Sequence, residues 1–327
     1  MAHPPVLLAL DFGGTKTAVA VCDEAGGILS AATLDARPAT AGGPGAREIF
    51  TAGVEAAREL LASAAPGSEP AAVGVATFGI PFEDRVELAP AIDGWESLAL
   101  GRELRAAFGA VPVRMATDAK AAAAAEVRWG ALRGCDPGVY LNLGTGLSAA
   151  LVIGGQVVAG HDGAAGEIGY NLRGISDVGR QAGQRILLED AVSGGGLARQ
   201  AARLRNGSGA GPAGLLTAAD VFRAAPHDPA LGGLLGDMLT ELAFHLVNLA
   251  ISLNPQRIAA GGGLVRDWDQ LGPALTRALA AGVPFPPELV AAQFPYDAPL
   301  RGAAALAAAA AAAPVTEPDT LTEGLPQ

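Results

Sequence analysis

Cysteine is nearly missing from these 327 residues: Cys22 and Cys135 are the only two. They cannot build the disulfide framework of a small secreted domain, and no secretory leader precedes the first apolar segment, so a reduced, cytoplasmic compartment is expected. Basic residues are scarce as well. With 22 Lys and Arg against 33 Asp and Glu the formal net charge is -11, which offers no positive face to a phosphate backbone and argues against nucleic acid as a partner. Small solutes are the expected partners. Long hydrophobic runs are also absent. The longest, Ala303 to Ala313, is almost pure alanine with Arg301 at its edge, too short and too weakly apolar to span a bilayer. The G-x-x-x-x-G-K-[ST] phosphate loop does not occur either.

Half of the residues are apolar, and the length suits two ordinary domains with sizeable cores. The pattern predicts strands over Val6–Phe12, Thr17–Cys22 and Ile28–Leu34, with a turn at Asp23–Gly27. A helix is expected over 46–64, where Ile49, Val54, Leu60 and Leu61 recur at helical spacing, then a buried strand within Ala71–Pro81, a helix over Ser97–Phe108 and the short strand "VPVRMATD". Strands alternating with helices imply an α/β sheet. After an alanine-rich helix following Asp118, the stretch from Gly138 to Val158 repeats the opening in outline as strand, Gly-Thr-Gly, strand. A duplicated nucleotide-binding architecture is the expectation. Farther on come a loop at Asn206–Gly214, an amphipathic helix over Met238–Leu253, a short strand at Arg257–Ala260, and a disordered tail over 314–327.

The first turn, Gly13-Gly14-Thr15-Lys16, follows Asp11 and joins strand to strand, so an anion there would meet turn amides rather than a helix N-terminus. A hairpin turn with no ligand is the alternative. A second turn, Gly144-Thr145-Gly146, lets the two grip the two ends of a triphosphate. A third glycine cluster, Gly261-Gly262-Gly263, follows a short strand, where bare backbone lets a flat purine approach.

These stretches carry a resemblance. "DFGGTK", "TDAKAAAAAE", "LGTGLSAALVIGG", "GAAGEIGY" and "NPQRIAAGGGLV" look like the ROK family of sugar kinases and repressors, within the hexokinase and actin superfamily, over most of residues 6 to 313. "GGTKT" alone would also suit the BadF-type ATPases, but "AGEIG" followed by "LEDAVSG" favours ROK. The resemblance implies a two-lobed, ribonuclease H-like α/β fold. Its small lobe would span 1–116, its large lobe 117–300, and a C-terminal helix, 301–313, would return to the small lobe. It implies ATP bound by Gly13, Gly14, Thr15, Lys16, Gly144, Thr145, Gly146 and the cluster Gly261, Gly262 and Gly263, with Asp11 helping to hold magnesium. Asp118 would be the general base, and its alternative role is an N-cap for a helix starting at Ala119. Glu167 and Glu189 match positions that bind sugar hydroxyls, a task suited to carboxylates because each accepts two hydrogen bonds. Trp95 matches a family tryptophan and is equally readable as a core aromatic. A homodimer is also implied.

The acceptor side departs from the family pattern. Its zinc-binding histidine is Tyr170 here, and its three cysteines fall at Arg180, Ala182 and Leu187, so the zinc site is expected to be absent and a packed or hydrogen-bonded plug to do its work. Phe82 replaces a glycine, while Ala91 and Thr117 replace asparagines beside the substrate. Lys120 stands where another asparagine is usual and reads as a solvated helix residue, although an ammonium there would alter the basicity of Asp118. The expected function is a magnesium-dependent ATP kinase for the primary hydroxyl of a hexose or hexose-like compound, such as an aminosugar or a C7-cyclitol, with glucose as the alternative. A ROK repressor would carry a helix-turn-helix ahead of the first turn, where only ten residues precede Asp11. A sugar sensor without catalysis is disfavoured by Asp118 together with both phosphate turns.

Overall fold

Every residue of strand β1 (Val6–Phe12) is buried, as is all but the first of β2 (Lys16–Cys22), whereas β3 (Ile28–Asp35) alternates buried-side and exposed positions. Such near-continuous apolar runs mark central strands covered on both faces, and alternation marks an edge. The computed structural model describes residues 5–36, 45–90, 92–207 and 216–313. Adding β4 (Pro70–Thr77) and β7 (Val113–Thr117) gives a sheet ordered β3-β2-β1-β4-β7. Strands β1, β4 and β7 run parallel, while β1, β2 and β3 form an antiparallel meander. A two-stranded ribbon, β5 (Ile80–Pro81) with β6 (Val86–Glu87), leaves the end of β4.

Helices α1 (Ala46–Ala64), α2 (Leu100–Phe108) and the last helix, α9 (Ala298–Ala312), pack on this sheet, and α3 (Asp118–Trp129) lies against α9, where a Cβ on Gly302 would run into the Ala121 carbonyl. The alanines of α9 have a packing reason. The helix lies so close to β4 that a Cβ on Gly74 would run into the carbonyl oxygen of Ala303, a separation that only small side chains allow.

A second sheet repeats the plan, with β8 (Gly138–Leu143), β9 (Leu147–Ile153), β10 (Gln156–Val157), β11 (Arg257–Gly261) and β12 (Glu288–Ala291) in the order β10-β9-β8-β11-β12. Again a hairpin precedes parallel neighbours. Its core joins Val139, Leu141 and Ile258 to α4 (Leu188–Val192), α5 (Gly194–Gly207), α6 (Ala218–Ala224), α7 (Pro229–Leu253) and α8 (Trp268–Gly282). The chain forms two compact units. Among the described residues the first takes those up to Arg128, Val157–Ala165 and those from Asp297 onward, and the second takes Trp129–Gln156 and Gly166–Tyr296.

Helix α7 begins nine residues before the expected Met238. Asp228 caps it, accepting from the amides of Ala230 (3.0 Å) and Leu231 (3.2 Å), and Pro229 fills the first position. Gly232, Gly233 and Gly236 weaken the local propensity, but burial of Leu231 and Leu235 overrides it. Among the described residues α7 alone is long and apolar enough to cross a membrane, yet its Leu231, Leu235, Met238, Leu242 and Leu246 lie in the core of the second unit. Ala91, the tail after Pro314 and most of the expected loop at Asn206–Gly214 lie outside the described residues.

Candidate functional site

In the first unit the register aligns Phe12 with Thr77 and Thr77 with Thr117. Asp11, Thr77 and Thr117-Asp118 therefore stand at the carboxyl edge of three adjacent parallel strands, where open α/β sheets bind ligands. The β1 and β7 backbones are two strand spacings apart, about 9–10 Å, a span that facing carboxylates can narrow. After Phe12 the chain reverses: Gly13 N donates to the Lys16 carbonyl (2.9 Å), and Ala36 N donates to that of Thr15 (3.1 Å). Thr15 and Lys16 are exposed, and Gly13 and Gly14 partly so.

Asp11 is 8% exposed, and its pKa is pushed up to about 7, first by burial and then by the charge of Asp118, with the Lys16 ammonium opposing. A buried carboxylate with a second one close enough to raise its pKa makes a donor pair suited to one hard cation. Among the described residues no three His, Cys, Asp or Glu gather as a metal cage.

Burial of Asp11 has a measurable consequence. Its folded-state pKa, about 7, exceeds the unfolded value of 3.8, so its stabilising contribution is complete below pH 3.8 and is lost as pH rises through 7. Asp11→Asn should therefore stabilise the ligand-free protein relative to wild type by a margin that grows from about pH 4 to pH 7 and then levels off. Urea titrations across that range check it, and a margin independent of pH would contradict it.

Asp118 is partly exposed, and its Oδ1 accepts from Ala119 N at 2.7 Å. The helix starts at Asp118 itself rather than at Ala119, and the hydroxyl of buried Thr117 accepts from Lys120 N (3.4 Å). The capping oxygen is therefore that of Thr117. Lys120 is also not the solvated residue expected, being only 5% exposed, because the α3 face that carries it is almost wholly buried. Phe82 lies at the tip of the β5–β6 ribbon with the Arg85 guanidinium 4.3 Å from its ring centre. Trp95 proves to be a core aromatic: fully buried, it donates from Nε1 to Thr77 Oγ1 (3.2 Å) and packs on Phe78 and Phe12.

In the second unit Gly144-Thr145-Gly146 links β8 to β9, with Gly144 N bonded to the Gly146 carbonyl (3.1 Å). Glu189 Oε2 accepts from Leu147 N at 2.9 Å, so one oxygen of that carboxylate is fixed by the turn. A Cβ on Gly146 would lie 2.5 Å from Glu189 Oε2, and one on Gly169 would lie 2.7 Å from the Leu147 carbonyl. Glu167 and Tyr170 bracket Gly169 and are partly exposed. The segment 167–170, Glu189 and the second turn thus come together.

The third glycine cluster divides by role. Gly261 leaves room for the Tyr140 hydroxyl, and Gly262, at φ +92°, lies against Leu143 and Gly144, where a Cβ would be 2.5 Å from the Leu143 carbonyl carbon. Of the three, only Gly263 has open space where a Cβ would stand. Sequence reasoning missed Gly194 and Gly195, whose amides donate to the Gly144 (2.9 Å) and Thr145 (3.1 Å) carbonyls and brace the second turn from the start of α5. Three glycines opening a helix after Ser193 were the available signal.

The ROK family model matches residues 7–310. The chain belongs to the ROK family. Among relatives, this ROK chain is 32% identical over 322 residues to the bifunctional enzyme NanE/NanK of Brucella melitensis, covering 92% of this chain and 54% of that protein. It therefore spans about half the length of that relative. It is 29% identical over 318 residues to the kanosamine kinase of Amycolatopsis mediterranei, covering 95% of this chain and 99% of that one. Its structure matches that of a ROK family glucokinase from Streptomyces griseus in complex with glucose and AMPPNP, with a TM-score of 0.71, 30% identity, and coverage of 92% and 99%. The fold of the ROK chain is accordingly the actin-like ATPase fold of these kinases.

Proposed function

We propose that the protein is an ATP- and magnesium-dependent kinase that phosphorylates the primary hydroxyl of a hexose-like compound, an aminosugar or C7-cyclitol. The observation that carries this reading is the carboxyl edge of the first sheet, where Asp11, the exposed glycine turn and Asp118 stand at the ends of neighbouring strands. Phosphoryl transfer needs positioning and charge stabilisation more than covalent chemistry. Asp118 Oδ2 accepts the acceptor's hydroxyl proton while Oδ1 stays oriented by Ala119 N. Asp11 and Lys16 address the metal-bound phosphates, and the amides of both glycine turns hold them. Magnesium, when bound, offsets the phosphate charge. In the second unit Glu189 Oε1 and Glu167 accept from ring hydroxyls, and Tyr170 adds a phenolic donor.

Phe82 and Tyr170 contribute apolar surface where the family pattern has a glycine and a histidine, which favours a carbocyclic or amino-substituted ring over plain glucose. The relatives include both a kanosamine kinase and glucokinases. An ATP-consumption screen over glucose, aminosugars and cyclitols should find one aminosugar or cyclitol with at least about tenfold higher kcat/KM than glucose, or about 1.4 kcal/mol in the transition state. Glucose as the best acceptor would restore the glucokinase reading. The same proposal includes a cytoplasmic homodimer without structural zinc, whose partner is the small-molecule acceptor rather than nucleic acid or membrane. Both cysteines are buried and free, which fits a reducing compartment.

A further inference from the structure

Between Gly166 and Leu188 the chain makes a long excursion whose only regular structure is three single-turn 3-10 helices, Ile168–Tyr170, Ile175–Asp177 and Ala182–Gln184. Both of its ends carry acceptor-side carboxylates, Glu167 at the start and Glu189 just after the finish. The Gly166 carbonyl accepts from Ala149 N (2.8 Å) and Gly169 packs on Leu147 and Glu189, and beyond these the segment has few ladder hydrogen bonds, so side-chain ties add to its shape. Arg185 supplies one. Its Nη2 donates to the Tyr170 carbonyl (2.6 Å) and its Nη1 to the Asn171 carbonyl (3.0 Å), so one guanidinium joins the residue four before Glu189 to the residues three and four after Glu167. Its Nε is buried and has no hydrogen-bond partner among the described residues.

The excursion is anchored separately to α7. Arg173 forms a two-point ion pair with Glu241, through Nε and through Nη2 at 2.8 Å, and Asn171 Nδ2 lies 3.4 Å from His245 Nδ1. Those contacts fix the middle of the segment to the helix, while Arg185 adds a side-chain tie between its two ends beside the direct packing of Gly169 on Glu189.

We propose that Arg185 is a positioning residue for the acceptor: by clamping the Tyr170 and Asn171 carbonyls it sets the separation of Glu167 and Glu189, and so which pair of hydroxyls they can accept from together. The proposal rests on the kinase reading above, since it assigns both carboxylates to the acceptor. A planar fork suits the task, because it holds two neighbouring carbonyls in one fixed geometry. Lysine can reach one of them, and methionine neither.

Two measurements test this. In the ligand-free full chain, hydrogen exchange of the 167–171 and 186–189 amides should be at least tenfold faster in Arg185→Met than in wild type, intermediate in Arg185→Lys, and unchanged in Gly138–Leu143. With Mg-ATP and glucosamine or glucose, Arg185→Met should raise the KM for the sugar at least tenfold, leave the KM for ATP within twofold and kcat within threefold, and Arg185→Lys should recover part of the loss. Unaltered exchange in the two segments, or a parallel rise in both KM values, would overturn the clamp. Wild-type protein inactive on glucose and on a full panel of aminosugars and cyclitols would count against the kinase reading alone, and the exchange measurement would still decide the role of Arg185.

Discussion

Asp118→Asn should fold normally and bind Mg-ATP, yet turn over at least about a hundredfold more slowly than wild type, the scale set by a positioned general base. The amide oxygen can still accept from Ala119 N, as Oδ1 does now at 2.7 Å, and Thr117 rather than Asp118 caps Lys120 N. Stability should therefore change little. Removing the Asp118 charge also removes one of the two influences that raise the Asp11 pKa, so Asp11 should ionise at lower pH in the variant and metal-nucleotide binding should hold into more acidic solution. Binding and turnover thus move in opposite directions, which separates loss of the base from collapse of the site. Titration with Mg-ATP alongside steady-state rates checks both. Near-wild-type turnover would remove Asp118 from the base role.

Trp95→Ala should destabilise the protein by about 3–5 kcal/mol, as expected for emptying a fully buried aromatic site. The ring centre lies 4.8 Å from that of Phe78 and 5.4 Å from that of Phe12. Phe12 directly follows Asp11 in β1, and Thr77, which accepts from Trp95 Nε1, aligns with both Phe12 and Thr117. The indole therefore supports the ends of the strands that carry the candidate metal ligand and base. Trp95→Phe, which keeps an aromatic ring but loses the indole hydrogen bond, should cost less than half as much. Urea denaturation measures both, and a loss below about 1 kcal/mol for the alanine variant would contradict the core assignment.

The parts of the candidate site whose local structure was legible are those written in local spacing. Each glycine turn announces itself because two apolar strands flank it, and the same plan appears in both halves. Asp118 was singled out by the family resemblance, while its place between a short strand and an alanine-rich helix by itself suggested only a cap. Residues whose environment is assembled from distant segments were not legible. Lys120 reads as a surface residue from its type and is buried because α3 presents nearly all of its first two turns to neighbours. Glu189 meets Leu147 across 42 residues of chain, and Arg185 meets Tyr170 across an excursion without strand or helix periodicity to betray it. The early start of α7 was written in Asp228-Pro229, but the glycines that follow masked it. Trp95 fitted two roles until its burial decided between them.

The central claim is transfer of the ATP γ-phosphoryl group to a primary hydroxyl, with Asp118 taking the proton. Phosphorus NMR of the full chain with Mg-ATP and each member of a glucose, aminosugar and cyclitol panel tests it most directly. The account predicts that, with at least one acceptor, ADP and a new phosphomonoester appear in equal amounts, the ester phosphorus is coupled to the protons of a CH2 group, and Asp118→Asn suppresses both. ATP consumption that proceeds equally without any acceptor, or none across the whole panel, would contradict it.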